Sequence, residues 1–262
     1  MTQNRTALVT GASSGIGAVY ADRLARRGHD LILVARDRAR LEALAARLAR
    51  DTGRAIEILP ADLTDAAELR RVEARLRADP AITMLVNNAG MAASGTLASA
   101  DPDRLETMVR LNVIAPMRLA AAAVSGFLAR GGGTIVNIAS VLALAPELFN
   151  GAYSGTKAFV LNLSQSLQQE VAGKGVRVQA VLPGATRTEI WERAGVDMEQ
   201  FPAGMLMGVE EMVDAALAGL DHGEAVTIPA LPDSDDWERF TAARLAMGPN
   251  LSRDRAAGRY RA

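Results

Sequence analysis

The chain has no cysteine, so disulfides, thiolate nucleophiles and thiolate metal sites are excluded together. Aromatic residues are scarce, at 4%, and the core must therefore be built from Ala, Val, Leu and Ile. Lysine is almost missing: of 29 basic residues only Lys157 and Lys174 are lysines, and the rest are arginine. One arginine in such a chain carries little information, whereas a lysine at a particular place carries more. A net charge of −1 gives bulk electrostatics no pull toward nucleic acid or an anionic membrane, and neither is expected as a partner. No uninterrupted apolar run reaches the roughly 20 residues of a membrane span. The polar start, residues 1–5, has no basic-then-apolar signal pattern, so a cytoplasmic protein is expected. His29 and His222 have neither a carboxylate nor a second histidine at ligand spacing, and no metal is expected.

What the chain does have is a regular alternation. Short apolar runs at residues 6–10, 30–35, 55–59, 84–87, 134–138, 176–181 and 225–228 read as seven strands. Amphipathic stretches at 16–27, 38–51, 65–78, 103–128, 152–171 and 210–220 read as helices between them. Apolar strands joined by crossover helices predict an α/β fold, a doubly wound parallel sheet of Rossmann type with helices on both faces. At 262 residues, one such unit accounts for most of the chain. Two stretches leave the pattern. Residues 185–208 mix Gly, Pro and both polarities between a strand and a helix. Residues 231–262 form a charged extension with one helix near 235–246, expected to pack on the same domain.

The first strand runs into Thr10-Gly-Ala-Ser-Ser-Gly-Ile-Gly17. Gly11 permits a tight turn, Gly15 lets backbone approach a pyrophosphate, and Gly17 lets the helix pack closely on the sheet. Free N–H groups at the helix start suit an anion. Where dinucleotide folds carry an acidic residue for the adenosine ribose, this chain has Ala35, followed by Arg36. That favours NADP(H) over NAD(H), the alternative being a solvated Arg36 paired with Asp37.

Tyr153 and Lys157 stand four residues apart on a predicted helix and so share a face. An ammonium near a phenol favours the phenolate and brings a tyrosine toward useful acid–base range. An arginine-rich chain that nevertheless places lysine here strengthens that reading. Ser140 ends a buried strand, the side of a parallel sheet where ligands sit; the plain alternative is a turn cap.

In combination these motifs resemble the short-chain dehydrogenase/reductase family over residues 5–230. Thr10–Gly17 is similar to the TGxxxGxG turn, Asp62-Leu63 to the acidic adenine contact, Asn87-Asn88-Ala89-Gly90 to NNAG, and Pro183–Thr188 to the PGxxxT segment. Ser140 precedes Tyr153 by 13 residues, and Asn112 matches the asparagine of the tetrad. The resemblance implies catalysis by Asn112, Ser140, Tyr153 and Lys157. Asn112 would hold a water that links Lys157 to solvent. Cofactor contacts are implied for Gly11, Ser13, Ser14, Gly15, Ile16, Gly17, Arg36, Asp62, Leu63, Asn88, Ala89, Gly90, Tyr153, Lys157, Pro183, Gly184, Thr186 and Thr188. A homodimer or homotetramer paired through the helices at 103–128 and 152–171 is implied as well. Two positions depart from the family pattern: Thr186 stands where Val or Ile is usual, and Thr83 replaces an Asp ahead of the fourth strand.

The expected activity is hydride transfer between a nicotinamide and a carbonyl or alcohol. The segment after Ser140, with Trp191, Phe201 and the nearby methionines opposite, predicts an apolar pocket for an uncharged hydrophobic substrate. The aromatic and Met residues of 185–208 are either a substrate lid or packed loop. A 3-oxoacyl-thioester reductase and a non-catalytic nicotinamide-binding regulator are the competing readings; the intact four-residue set argues against the latter.

Overall fold

The computed structural model describes residues 5–93 and 95–261. They divide into two compact units, one ending at Pro229 and one beginning at Ala230. The first unit alternates β1 (Thr6–Thr10), α1 (Gly15–Arg26), β2 (Asp30–Ala35), α2 (Arg38–Thr52), β3 (Ile56–Pro60), α3 (Ala66–Ala78) and β4 (Ile82–Asn87). It continues with α4 (Pro102–Val109), α5 (Ala115–Ala129), β5 (Gly133–Ile138), α6 (Gly151–Glu170), β6 (Val176–Val181), α7 (Ile190–Arg193), α8 (Val209–His222) and β7 (Val226–Thr227). The second unit carries α9 (Ser234–Ala246).

The seven strands form one sheet in the order β3-β2-β1-β4-β5-β6-β7, and every pairing is parallel. This is the doubly wound sheet expected from the alternation. Its strand order reverses between β1 and β4, and the crevice beyond the carboxyl ends of those two strands is where such sheets bind ligands. The strands read as continuous apolar runs because both faces are covered. Ala7, Val9, Leu31 and Leu33 meet α1 and α2 on one side, while Leu8, Ile32, Leu85 and Ile135 meet α3 and α5 on the other. Truncating one such residue, Leu33 for instance, costs about 2–5 kcal/mol.

Two buried carboxylates fasten the outer layer. Asp22 of α1 is paired with Arg23 and Arg26 and, from α2, with Arg47. Glu73 of α3 is paired with Arg77 and, from α5, with Arg118.

Three sequence expectations need correction. Helices α4 and α5 are one path, but a π-helical turn at Arg110–Ile114 interrupts the α pattern around Asn112. The path Pro102–Ala129 is long and apolar enough to cross a membrane by length and composition, although no single uninterrupted run is. Here that apolarity is used in the core, where Leu119, Ala123 and Phe127 are buried. Strand β4 begins at Ile82, so Thr83 lies inside the strand rather than before it. The segment 185–208 is less irregular than its composition suggests. It contains α7 and a parallel bridge between Thr186 and Met207.

In the second unit Asp233 caps α9, accepting from the Asp235 amide at 2.9 Å, and Trp237 stacks on Phe240 with centroids 5.5 Å apart. No residue of α9 is buried.

Candidate active site

The glycine turn after β1 is shaped by contacts that leave no room for side chains. Gly11 adopts φ +65° and Gly15 φ +52°. A Cβ at Gly17 would lie 2.3 Å from the Gly11 carbonyl oxygen and 2.5 Å from Asn88 Nδ2. Asn88 holds the turn from β4: its Nδ2 donates to the Thr10 carbonyl at 2.9 Å and to the Gly11 carbonyl at 3.3 Å. The Thr10 hydroxyl accepts from the amides of Asn88 and Ala89, both at 3.0 Å, and donates to the Val86 carbonyl. The N-cap of α1, Ser14, makes no side-chain cap bond, and the first turn holds no acidic residue. The amides at this helix start therefore face the cleft with no side-chain partner, which suits an anionic ligand.

Tyr153 and Lys157 lie one turn apart on α6, both buried. Asn150 caps this helix, accepting from the amides of Ala152 and Tyr153 at 3.0 and 3.1 Å, which fixes the first turn that carries Tyr153. Lys157 Nζ donates to the Ile138 carbonyl at 3.0 Å. An ammonium has three donors, and this is its one protein hydrogen bond among the described residues. Burial depresses the Lys157 ammonium from 10.5 to about 8.

In this arrangement burial and Ser140, not Lys157, set the Tyr153 phenol. Burial pushes the Tyr153 phenol well above its ordinary range, and the Ser140 hydroxyl opposes that only in part. The lysine nitrogen lies 5.7 Å from the phenol ring centroid and spends a proton on Ile138 instead. At neutral pH Tyr153 is thus a protonated phenol and Lys157 is mostly charged.

Ser140 is a turn cap that also stands on the cleft. Its Oγ accepts from the Leu142 amide at 3.2 Å, as a cap of the following turn, and it also lies on the cleft beside Tyr153. Asn112 is held behind the cleft. Its Oδ1 accepts from the Met91 amide at 2.9 Å, and its Nδ2 donates to the Met91 carbonyl at 2.8 Å and Thr156 Oγ1 at 3.1 Å. Both Nδ2 donors are thus used while Oδ1 keeps room for a second acceptance, and it borders Gly90: a Cβ at Gly90 would stand 3.3 Å from Asn112 Oδ1 and 3.6 Å from Lys157 Nζ.

These elements enclose a cleft of about 910 Å³ along the carboxyl edge of the sheet. Gly11, Ser13, Ser14, Gly15, Ile16, Arg36, Asp62, Leu63, Asn88, Ala89, Gly90, Ser140, Tyr153, Lys157, Pro183, Gly184, Thr186 and Thr188 line it. Gly17 and Asn112 do not; both act from behind the wall. Arg36 is well exposed and approaches Asp62 at 4.0 Å rather than Asp37, which instead caps α2. The Thr186 hydroxyl is satisfied internally by the Gly184 carbonyl at 3.1 Å, which accounts for its tolerance where a branched apolar residue is usual.

The other end of the cleft is apolar. Tyr153, Phe149, Trp191 and Phe201 form a ladder of ring contacts at 5.6, 5.9 and 5.1 Å. Val141, Leu142 and Leu148 join it, while Glu147 and Arg187 stay off the cleft. Trp191 is buried yet lines the cleft, Met207 packs on the core, and Met205 is half-exposed on the cleft rim. Sequence reasoning missed Arg40, Glu189 and Arg104, which also border the cleft.

The geometry fits a dinucleotide: a glycine turn with uncapped helix-start amides at one end, a buried lysine with spare donors at the other, and space between them. Comparison with known proteins agrees. A family model described as short chain dehydrogenase matches residues 5–199. The structure of a short-chain dehydrogenase from Sphingobium yanoikuyae in complex with NADPH is 53% identical, with a TM-score of 0.95 over 98% of this chain and 100% of that one. A bulky-bulky ketone specific alcohol dehydrogenase from Comamonas testosteroni is 47% identical, with a TM-score of 0.92 over 100% of both chains. Human 17-beta-hydroxysteroid dehydrogenase type 3 is 35% identical over 185 residues, spanning 70% of this chain and 59% of the human enzyme's length. The chain belongs to the short-chain dehydrogenase family. It is an oxidoreductase that interconverts a carbonyl and an alcohol with a nicotinamide cofactor.

Proposed function

We propose that the enzyme prefers NADP(H) and reduces uncharged, bulky apolar ketones, with Tyr153 as proton donor. One observation carries the reading: a buried phenol, a buried lysine and a serine hydroxyl meet where the apolar ladder ends and the cofactor cleft begins. The nicotinamide cofactor, when bound, supplies or takes the hydride. Tyr153, protonated at neutral pH, gives its phenolic proton to the substrate oxygen, and Ser140 Oγ hydrogen-bonds that oxygen and orients it. Lys157, with donors left after Ile138, would hold the ribose hydroxyls of the cofactor and offset the phenolate charge on Tyr153. Asn112 clamps Met91 and Thr156 and so fixes the strand end and helix face between which these groups meet; a proton path to solvent through a water it holds remains part of this reading.

Cofactor choice rests on Ala35-Arg36. The last residue of β2 is Ala35 rather than a carboxylate, and the exposed guanidinium of Arg36 follows on the cleft rim, while Asp37 is used as the cap of α2. The NADPH held by the Sphingobium protein supports this choice, and the ketone preference in the name of the Comamonas protein supports the substrate class. The charged rim groups at the apolar end are already engaged: Arg104 donates to the Arg193 carbonyl at 2.7 Å, and Arg193 pairs with Glu189. That argues against an anionic or acyl-carrier substrate. In this reading residues 1–230 carry cofactor binding and catalysis, with 185–208 as the substrate wall. The enzyme works in the cytoplasm as a homodimer or homotetramer paired through α4, α5 and α6, the exposed Val109 and Ile114 at the α4–α5 junction supporting association.

The test is a series of ketones of increasing alkyl and aryl bulk, run with both coenzymes. kcat/KM should rise with apolar bulk and be higher with NADPH. A rise with added anionic groups instead would overturn the substrate class, and equal rates with both coenzymes would overturn the cofactor choice.

A further inference from the structure

Arg40 enters the cleft from the first turn of α2, where its amide donates to the capping Asp37 Oδ1 at 3.0 Å. Its guanidinium reaches across the cleft. Nη1 donates to both carboxylate oxygens of Glu189, at 3.0 and 2.9 Å, over a separation of 149 residues. Nε has only a long approach to Asp37, at 3.5 Å. Glu189 sits at a sensitive point. It follows Thr188, whose Cγ2 lies within 3.2 Å of where a Cβ on Gly15 would be, and it precedes α7, whose Trp191 belongs to the aromatic ladder. The Arg40–Glu189 pair is therefore a bridge between the α2 side of the cleft, where Arg36 also stands, and the segment that walls the substrate end.

We infer that Arg40 has two alternative anionic partners, the Glu189 carboxylate in the free enzyme and the 2′-phosphate of NADPH in the complex. Capture of the phosphate then unties the α7 segment from α2. Arg40 is on this view a specificity-determining residue that couples coenzyme identity to the substrate wall. The inference rests on the reading that the Arg36 side of the cleft takes a 2′-phosphate.

The competition favours the phosphate. Both side chains of the pair are nearly half-exposed, at 48% and 42%. Exposed ion pairs of that kind are weak and screened. A phosphate monoester carries nearly two charges and three acceptor oxygens, against one charge and two oxygens for a carboxylate. It also receives a fork-shaped guanidinium well. NADH offers no such group, so with NADH bound Arg40 stays on Glu189.

The experiment measures dissociation constants of NADPH and NADH by fluorescence titration for the wild type and for Arg36→Ala, Arg40→Gln and Glu189→Gln, each checked for an unchanged melting temperature. Arg40→Gln should weaken NADPH about tenfold or more and leave NADH within about twofold. Glu189→Gln should tighten NADPH by about 1.5- to 5-fold, because a competitor of that strength is gone, and leave NADH unchanged. In a Trp237→Phe background, with Trp191 the sole remaining tryptophan, NADPH should alter Trp191 emission more than NADH does, and Arg40→Gln should erase the difference.

If Arg36→Ala lowers NADPH affinity while Arg40→Gln does not, the exchange is wrong and the phosphate reading stands. If Glu189→Gln weakens both coenzymes alike, the pair is a simple strap and the exchange is again wrong. If the wild type binds both coenzymes equally and Arg36→Ala moves neither, the phosphate reading fails and the exchange with it.

Discussion

Lys157→Met should make the enzyme inactive and, at neutral pH, more stable. The ammonium is buried, and burial depresses it from 10.5 to about 8. At about 1.4 kcal/mol per tenfold change in protonation, that fall withholds roughly 3 kcal/mol of native stability below pH 8. Methionine fills similar volume without a charge. It gives up the hydrogen bond from Nζ to the Ile138 carbonyl, which takes back about 1.5 kcal/mol. The variant should therefore lead the wild type by about 1–2 kcal/mol at pH 7, raising Tm by about 2–4 °C for each kcal/mol. The pH dependence is more diagnostic still. Between pH 8 and 10.5 the unfolded wild-type chain binds one proton more than the folded chain, so wild-type stability rises there relative to a variant that lacks the group. Denaturant melts of both proteins at pH 7, 8, 9 and 10 give the difference directly, and every other titrating residue cancels. A lead that shrinks toward pH 10 and reverses as the lost hydrogen bond comes to dominate is expected. A Met variant less stable at pH 7 by 1 kcal/mol or more, with a gap constant to pH 10, would refute the desolvation argument.

Gly17→Ala forces a Cβ to within 2.3 Å of the Gly11 carbonyl; it should cost about 1–3 kcal/mol in denaturant melts and abolish saturable dinucleotide binding in titrations. Arg36→Ala should weaken NADPH by about 10- to 100-fold, the worth of a charged hydrogen bond, with NADH little changed; equal losses would remove the phosphate assignment. Phe149→Ala removes ring contacts to Tyr153 and Trp191 at 5.6 and 5.9 Å; kcat/KM for an aryl ketone should fall about tenfold, an edge-to-face contact or two with the buried area lost alongside, while NADPH affinity stays. Light scattering at micromolar concentration should give a dimer or tetramer mass, and a monomer would count against the proposed association.

Much of this architecture is legible because parallel α/β units write themselves plainly into sequence. Strands such as Leu31–Val34 are apolar on both faces, and the helices between them alternate. The glycine turn is legible because Gly11 and Gly17 meet steric demands no other residue meets. Lys157 stands out because the chain otherwise uses arginine. What stayed hidden is what depends on partners distant in sequence. The π turn around Asn112 follows an uninterrupted helical pattern, and nothing in Leu-Asn-Val marks the extra residue. Arg40 lies in the amphipathic stretch 38–51, where one arginine among many carries no signal, yet its partner is Glu189. Buried bonds such as Asn137 Nδ2 to Ser164 Oγ at 2.9 Å, which tie β5 to α6, are likewise invisible until the fold joins them.

The central claim is that Tyr153 donates the proton. The measurement is single-turnover reduction of a bulky ketone by Tyr153→Phe with saturating NADPH, alongside a titration of NADPH binding. The phenyl ring keeps the contacts to Phe149 and the packing of the cleft floor, so NADPH should bind within about twofold of wild type. Hydride transfer should slow by about 10²–10⁴-fold, the range of a lost general acid. A Phe variant that transfers hydride at more than about a tenth of the wild-type rate, with NADPH bound as before, would contradict the account.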